Sequence, residues 1–280
     1  MPSSFSATWA LLPTANGARP SHDTLFVSNL PLAVVTGASS GIGAAFASAL
    51  TGRGYHVLAV ARRADRLAEL EKRTAGRLTA LSLDLTGADA VAAVLSCSAR
   101  RGPVELLVSN AGRGAHGRAW EIPREVTTDI LRLNVTTGVD LATALLPGMI
   151  ARRRGGIIFV TSAGGFYPTP YLAAYGATKA FLLCYAEALA TELRGTGVRA
   201  MALCPGPVMT EFGEVAGMTD LLAKAPGLMT PADVVAAGLR AWDSGRTVHI
   251  PGTPNSAMTS ILARLPRALT RRLMERAFRQ

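Results

Sequence analysis

Cysteine is almost absent from this chain: Cys97, Cys184 and Cys204 are the only three. They cannot form a disulfide framework, and no Cys-x-x-Cys or Cys/His spacing suggests zinc. No metal is expected, and such sparing use of thiols fits a reducing, cytoplasmic setting. Lysine is equally rare, confined to Lys72, Lys179 and Lys224, so arginine carries nearly all of the positive charge. Aromatic residues make up 6% of the chain. Without an aromatic-rich platform or a zinc finger, the net charge of +10 does not point to nucleic acid. It suits anionic lipid or a phosphorylated cofactor instead. No apolar run approaches the ~20 residues needed to cross a bilayer. The amino end also lacks the basic stretch of a secretory signal.

What is present is the material of one large domain. With 280 residues, 49% of them hydrophobic and 17% charged, extended disorder is excluded. A single α/β domain of this size buries roughly three quarters of its unfolded surface. Residues 1–29, rich in Ser, Pro, Ala and Gly without a sustained period, read as a flexible extension. From Leu30 onward, short apolar runs alternate with helical spacing. The runs are Leu32–Val35, His56–Ala61, Thr79–Leu83, Leu106–Val108, Gly156–Val160, Arg199–Leu203 and Thr247–Ile250. Between them lie predicted helices over Gly41–Arg53, Arg66–Thr74, Ala88–Arg100, Thr127–Arg153, Tyr175–Arg194 and Pro231–Ser244. Seven strands alternating with helices predict a doubly wound parallel sheet with helices on both faces.

Two segments depart from that rhythm. Pro205 to about Thr230 is the longest interruption and is too apolar for an idle surface loop. The last segment, 257–280, sets Met258, Ile261, Leu262, Leu265, Leu269, Leu273 and Phe278 at broadly helical spacing beside six arginines. Pro266 should kink or break that helix. Packing on its own domain, self-association and peripheral membrane contact compete as its role, the first two ahead of the third.

The chemistry begins after the first strand. Gly37, Ser39, Ser40, Gly41, Ile42 and Gly43 lie in a turn that opens the first helix. Glycines there let main-chain N–H groups approach a pyrophosphate, and the helix amino end adds partial positive charge. The second strand ends in Arg62-Arg63, with no carboxylate for a ribose hydroxyl. Paired guanidinium hydrogen bonds suit a 2′-phosphate, with Ser39 adding a hydroxyl. NADP(H) is therefore expected ahead of NAD(H), against the plainer reading of a solvated charged turn. Tyr175 and Lys179, four residues apart, share one face of a helix. A unit charge about 4 Å from the phenol, at an effective dielectric of ~20, is worth roughly 4 kcal/mol and would lower its pKa by about three units before burial opposes it. Ser162 follows the fifth strand, and Asn134 lies on the helix after the fourth.

The glycine spacing, with Ser162, Tyr175 and Lys179 in this order, resembles the short-chain dehydrogenase/reductase family, classical type. The resemblance covers about Leu30 to Ile250 and implies a Rossmann-like catalytic domain over residues 30–256. It implies hydride transfer between a nicotinamide and a carbonyl or secondary alcohol carbon. Tyr175 would be the acid/base, Ser162 would stabilise the same oxygen, and Lys179 would bind the nicotinamide ribose. Asn134 would help hold a water linking Lys179 to solvent. Asp84 and Leu85 match the adenine position, although Asp84 also suits capping of the helix near Ala88. Ser109-Asn110-Ala111-Gly112 resembles the family's Asn-Asn-Ala-Gly, so the contacts expected of Asn110, Ala111 and Gly112 are main-chain. Pro205, Gly206, Val208 and Thr210 match its Pro-Gly motif beside the nicotinamide.

Gly164, Phe166, Tyr167, Met209 and Phe212 are the expected substrate pocket, for an apolar ketone, steroid-like or acyl compound. Arg113 and His116 follow the fourth strand toward the same cleft. A homodimer or homotetramer is expected, as is a cytoplasmic location, peripheral at a membrane surface if the last segment binds lipid. The competing hypothesis is a catalytically silent cofactor-binding regulatory or scaffold protein of the same fold.

Overall fold

The computed structural model describes residues 30–279; the expected extension over 1–29 lies outside the described residues. Strand β1 (Leu32–Thr36) is followed by α1 (Gly41–Gly52), β2 (His56–Ala61), α2 (Ala64–Lys72), β3 (Leu78–Ser82), α3 (Ala90–Ala99) and β4 (Val104–Ser109). Then come α4 (Arg124–Leu131), α5 (Thr137–Ala151), β5 (Gly155–Val160), α6 (Ala173–Glu192) and β6 (Val198–Leu203). Two short helices, α7 (Phe212–Ala216) and α8 (Thr219–Ala223), precede α9 (Pro231–Asp243), β7 (Val248–His249), α10 (Thr253–Arg264) and α11 (Arg267–Phe278). All strand pairings are parallel, in the order β3-β2-β1-β4-β5-β6-β7.

Strand residues alternate between two cores. Leu32 and Val34 of β1 join Leu141 and Met149 of α5 and Leu182, Ala186 and Leu189 of α6 on one face. Ala33 and Val35 join Phe46 and Leu50 of α1 and Val234, Leu239 and Trp242 of α9 on the other. Every residue of β1 and β2 is buried, which explains why they read as continuous apolar runs rather than alternating ones. The strand order reverses beside β1, between β2 and β4, and a crevice opens there at the carboxyl ends of the strands. The Thr36 hydroxyl ties the two sides together, accepting from the backbone N–H of Asn110 (2.9 Å) and Ala111 (3.0 Å).

Several expectations are corrected here. The helix expected at Thr127–Arg153 starts earlier, behind Pro123, and contains a π-helical stretch at Arg132–Thr136 between α4 and α5. That continuous stretch, Arg124–Ala151, is long and apolar enough to cross a membrane by length and composition alone, contrary to the reading of the runs. Here it serves as a core helix, with Leu141, Ala142 and Met149 fully buried against the sheet. Strand β7 is shorter than expected. The interruption after β6 folds as α7 and α8, closed by a parallel bridge between Val208 and Met229. Helix α10 begins at Thr253 and runs through the division drawn between residues 256 and 257. As its ring geometry requires, Pro266 separates the last two helices, standing just before α11.

Gly156 is a site of tight packing on the α9 side of the sheet. A Cβ placed there would lie 2.3 Å from Cη2 of Trp242 and 2.9 Å from the Arg199 carbonyl oxygen. The Arg199 guanidinium covers the Trp242 ring at 4.3 Å, so the indole has little freedom to retreat. Gly156→Ala should therefore cost about 1–3 kcal/mol. Urea unfolding would show a lower midpoint at unchanged slope; an unchanged midpoint would contradict this packing account.

Candidate active site

The glycine turn takes its shape from positions that reject a side chain. Gly41 has φ +54°, and a Cβ there would meet Thr210 Cγ2 at 2.9 Å. A Cβ on Gly43 would lie 2.2 Å from the Gly37 carbonyl oxygen and 2.5 Å from Asn110 Nδ2. The turn is thus packed against both the β4 loop and the segment after β6. Ser40 occupies the N-cap of α1 without capping it through its side chain, and the first turn holds no acidic residue. The amino end of α1 therefore offers main-chain donors and uncompensated positive potential to an anion.

Beside that turn, Arg63 donates through Nε and Nη2 to Ser39 Oγ (3.2 Å each) and through Nη2 to Ser40 Oγ (2.7 Å). Its Nη1 donates to Glu211 Oε2 at 2.6 Å, and Arg66 stands 3.6 Å from the same carboxylate. Of the expected arginine pair, only Arg63 is fastened to the turn; Arg62 turns toward Asp84 at 4.0 Å. Asp84 accepts from the Thr86 backbone N–H (2.9 Å) and hydroxyl (2.8 Å), and these bonds hold its carboxyl below the usual range. It caps its own turn and not α3, whose N-cap is Asp89.

The chemical centre lies where the 163–165 turn meets α6. Lys179 is 4% exposed and donates from Nζ to the Val160 carbonyl at 2.8 Å. Burial lowers its pKa to about 8. Its ammonium sits 5.6 Å from the centroid of the Tyr175 ring. Burial pushes the Tyr175 phenol up to about 12, opposed by a hydrogen bond with Ser162. The expected lowering of this pKa by the ammonium is therefore corrected. Removal from water dominates at both groups, because desolvation penalises each charged form. In the free protein the phenol keeps its proton across the neutral range.

Asn134, 1% exposed in the π-helical stretch, is placed differently from the other three expected catalytic residues. Its Oδ1 accepts from the Arg113 backbone N–H (2.9 Å), and its Nδ2 donates to the Arg113 carbonyl (3.0 Å) and to Thr178 Oγ1 (3.0 Å). Thr178 in turn donates to the Tyr175 carbonyl at 2.6 Å. Asn134 thus braces the β4 loop against α6 and positions Tyr175 and Lys179 without reaching the cleft. A Cβ on Gly112 would come 3.2 Å from Asn134 Oδ1 and 3.4 Å from Lys179 Nζ, so the loop can run close over both.

These groups line one cleft of about 1220 Å³, running from Arg62, Arg63 and Asp84 past the glycine turn to Ser162, Tyr175 and Lys179. The volume exceeds the ~300–1,000 Å³ of a usual single-ligand pocket. Gly37, Ser39, Ser40, Gly41, Ile42, Leu85, Asn110, Ala111, Gly112, Pro205, Gly206, Val208 and Thr210 all border it. Among the expected pocket residues, Gly164, Tyr167 and Phe212 line its far end. Phe166 does not; it packs on the core below. Met209, 57% exposed, borders a separate depression with Arg66 and Arg73. It points outward because the Val208–Met229 bridge uses the inward direction for Val208, which is 8% exposed.

Sequence reasoning missed other parts of the wall. Met258 and Leu262 of α10 and Met274 and Phe278 of α11 line the cleft, so much of the last segment's apolar stripe faces its own domain. Ile261, Leu269 and Leu273 remain exposed. His116 does not line the cleft but bonds through Nε2 to the Phe278 carbonyl (2.8 Å), anchoring α11. Phe212 packs on the Tyr175 ring at a centroid distance of 5.0 Å. Glu211 had no motif to reveal it. Burial raises the Cys204 thiol to about 12, consistent with a packing role.

Comparison with known proteins gives one consistent picture. The short chain dehydrogenase family model matches residues 31–219. An uncharacterized oxidoreductase of Myxococcus xanthus is 41% identical over 184 residues, 64% of this chain and 73% of that protein. A very-long-chain 3-oxoacyl-CoA reductase of Laccaria bicolor is 34% identical over 200 residues, 69% of this chain. The chain spans 59% of that relative's length. A short-chain dehydrogenase from Sphingobium yanoikuyae, solved in complex with NADPH, superposes with a TM-score of 0.74 at 31% identity, covering 85% of this chain and 98% of that one. Other solved neighbours carry NADH or NAD.

Lys179 makes folding stability depend on pH. Between about pH 8 and its usual value of 10.5, the unfolded chain binds the lysine proton and the folded chain does not. Stability contributed by this group therefore rises with pH through that window. Tyr175, raised from 10.0 to about 12, acts oppositely and only above pH 10 or so. Urea unfolding at pH 7.5 and 9.5 should show the wild type gaining about 2 kcal/mol relative to Lys179→Met. Parallel pH dependences would contradict the buried-ammonium assignment.

Proposed function

Since the chain belongs to the short-chain dehydrogenase family and is an oxidoreductase, we propose that it transfers a hydride between NADP(H) and the carbonyl or secondary alcohol carbon of an apolar small molecule. The observation that carries this reading is the convergence of Ser162, Tyr175 and Lys179 at one end of a cleft whose other end holds Arg63 against Ser39 and Ser40. The residues fit a dinucleotide. The amino end of α1 is uncapped by side chains, and Arg63 already carries an anion, the Glu211 carboxylate.

In this reading Asp84 and Leu85 border the adenine, and Arg63 with Ser39 takes the 2′-phosphate. The α1 turn takes the pyrophosphate, while Val208 and Thr210 border the carboxamide. When bound, the nicotinamide supplies the hydride to the carbonyl carbon, or accepts it in the reverse direction. Tyr175 gives its phenolic proton to the carbonyl oxygen, so that C=O becomes CH–OH. A phenol that holds its proton at neutral pH is in the form this step requires. Ser162 donates a hydrogen bond to the same oxygen as charge develops on it. Lys179 holds the ribose hydroxyls, and Asn134 keeps Lys179 and Tyr175 in register through Thr178.

Tyr167, Leu172, Phe212, Met258, Leu262 and Phe278 make the substrate end apolar. This favours a ketone or acyl chain with little charge, in keeping with the 3-oxoacyl name of the Laccaria relative. Exposed Leu131, Ile150 and Phe181 on α4, α5 and α6 support self-association.

Tyr175→Phe should lower turnover at least 10²-fold, the scale of lost general acid catalysis, while NADPH binding persists. Near-normal turnover would remove the proposed acid. A panel of apolar ketones followed by nicotinamide absorbance should show faster turnover with NADPH than NADH. A preference for NADH would contradict the cofactor assignment.

A further inference from the structure

Among the described residues, Glu211 is the only acidic group bound to the arginine on which the cofactor reading depends. It precedes α7, on the segment that follows β6, and reaches across to Arg63 at 2.6 Å and Arg66 at 3.6 Å. Arg63 and Arg66 together hold its carboxyl below the usual range, so it is ionised at neutral pH. Four of the five Arg63 guanidinium N–H groups are thus engaged: Nε and Nη2 on the two serines and one N–H of Nη1 on Glu211. A ribose 2′-hydroxyl brings no negative charge to this guanidinium, whereas a 2′-phosphate does. It would bring nearly two negative charges against a carboxylate already in place, and like charges this close repel.

We infer that Glu211 is an internal counter-anion at the 2′-phosphate subsite, which it occupies until the phosphate displaces it. It thereby weakens NADP(H) binding and narrows the preference over NAD(H). The inference rests on the proposed NADP(H) reading. It also links the two ends of the cleft, because the next residue, Phe212, packs on the catalytic Tyr175 ring. No sequence motif marks this residue; only the fold brings position 211 to position 63.

The test is calorimetric titration of the full chain with adenosine 2′,5′-bisphosphate and with adenosine 5′-diphosphate, which lacks the 2′-phosphate. Glu211→Gln keeps the shape and removes the charge. It should bind the bisphosphate about three- to fivefold tighter, the upper end of the range for a partly exposed ion pair, and leave the 5′-diphosphate unchanged. Arg63→Leu should lose bisphosphate affinity specifically. If Arg63→Leu does so but Glu211→Gln binds no tighter, the counter-anion role is overturned and the NADP(H) reading survives. If Arg63→Leu binds the bisphosphate as well as wild type, the 2′-phosphate subsite itself is overturned.

Discussion

One hydrogen bond, from the Lys179 ammonium to the carbonyl of Val160 at the end of β5, sets the conditions for the whole site. It places a cation where water is nearly excluded, and the sheet supplies only a backbone dipole in return. The surroundings are built to keep it there. The 163–165 turn runs so close to α6 that a Cβ on Gly165 would lie 2.9 Å from the Lys179 carbonyl oxygen. Asn134 and Thr178 then lock α6 to the β4 loop. A cation in this setting is held at the edge of ionisation, and the phenol above it is held neutral.

Such a site conflicts with stability by design of its chemistry. Burying an ammonium beside one carbonyl costs the free protein stability at neutral pH, and repacking with an apolar side chain would remove that cost. The same burial makes any charge arriving in the cleft felt strongly, because little water screens it. The free protein therefore holds the Tyr175 phenol in its protonated form, the form that the proposed reduction step needs. At the opposite end of the cleft the electrostatics are reversed in character. Arg63, Arg66 and Glu211 are partly exposed, so their contacts are weaker and open to exchange.

The fold was legible because strands buried on both faces leave continuous apolar runs, as β1 and β2 do, and because glycines at 37, 41 and 43 occur where a strand meets a helix. The meeting of Ser162, Tyr175 and Lys179 at one cleft was legible through order and spacing, since a four-residue helical separation fixes a shared face. The Tyr175 pKa was not: Coulomb attraction can be computed from spacing, whereas desolvation depends on which other elements cover the pair. Asn134 could be named from the sequence, but its role as a brace depends on the path of the loop carrying Arg113. Met258, Leu262 and Phe278 looked like any amphipathic stripe until the Pro266 break turned α11 back over the cleft. Glu211 was invisible, being a lone carboxylate whose partner lies 148 residues away in sequence.

The direct measurement is the ionisation of Tyr175 in the free protein, read as the ultraviolet difference spectrum between wild type and Tyr175→Phe across a pH titration. A phenol governed by burial gives no phenolate signal in the neutral range and ionises only toward pH 12. A phenolate appearing near neutral pH without any ligand would show that the ammonium outweighs desolvation, and would contradict the account.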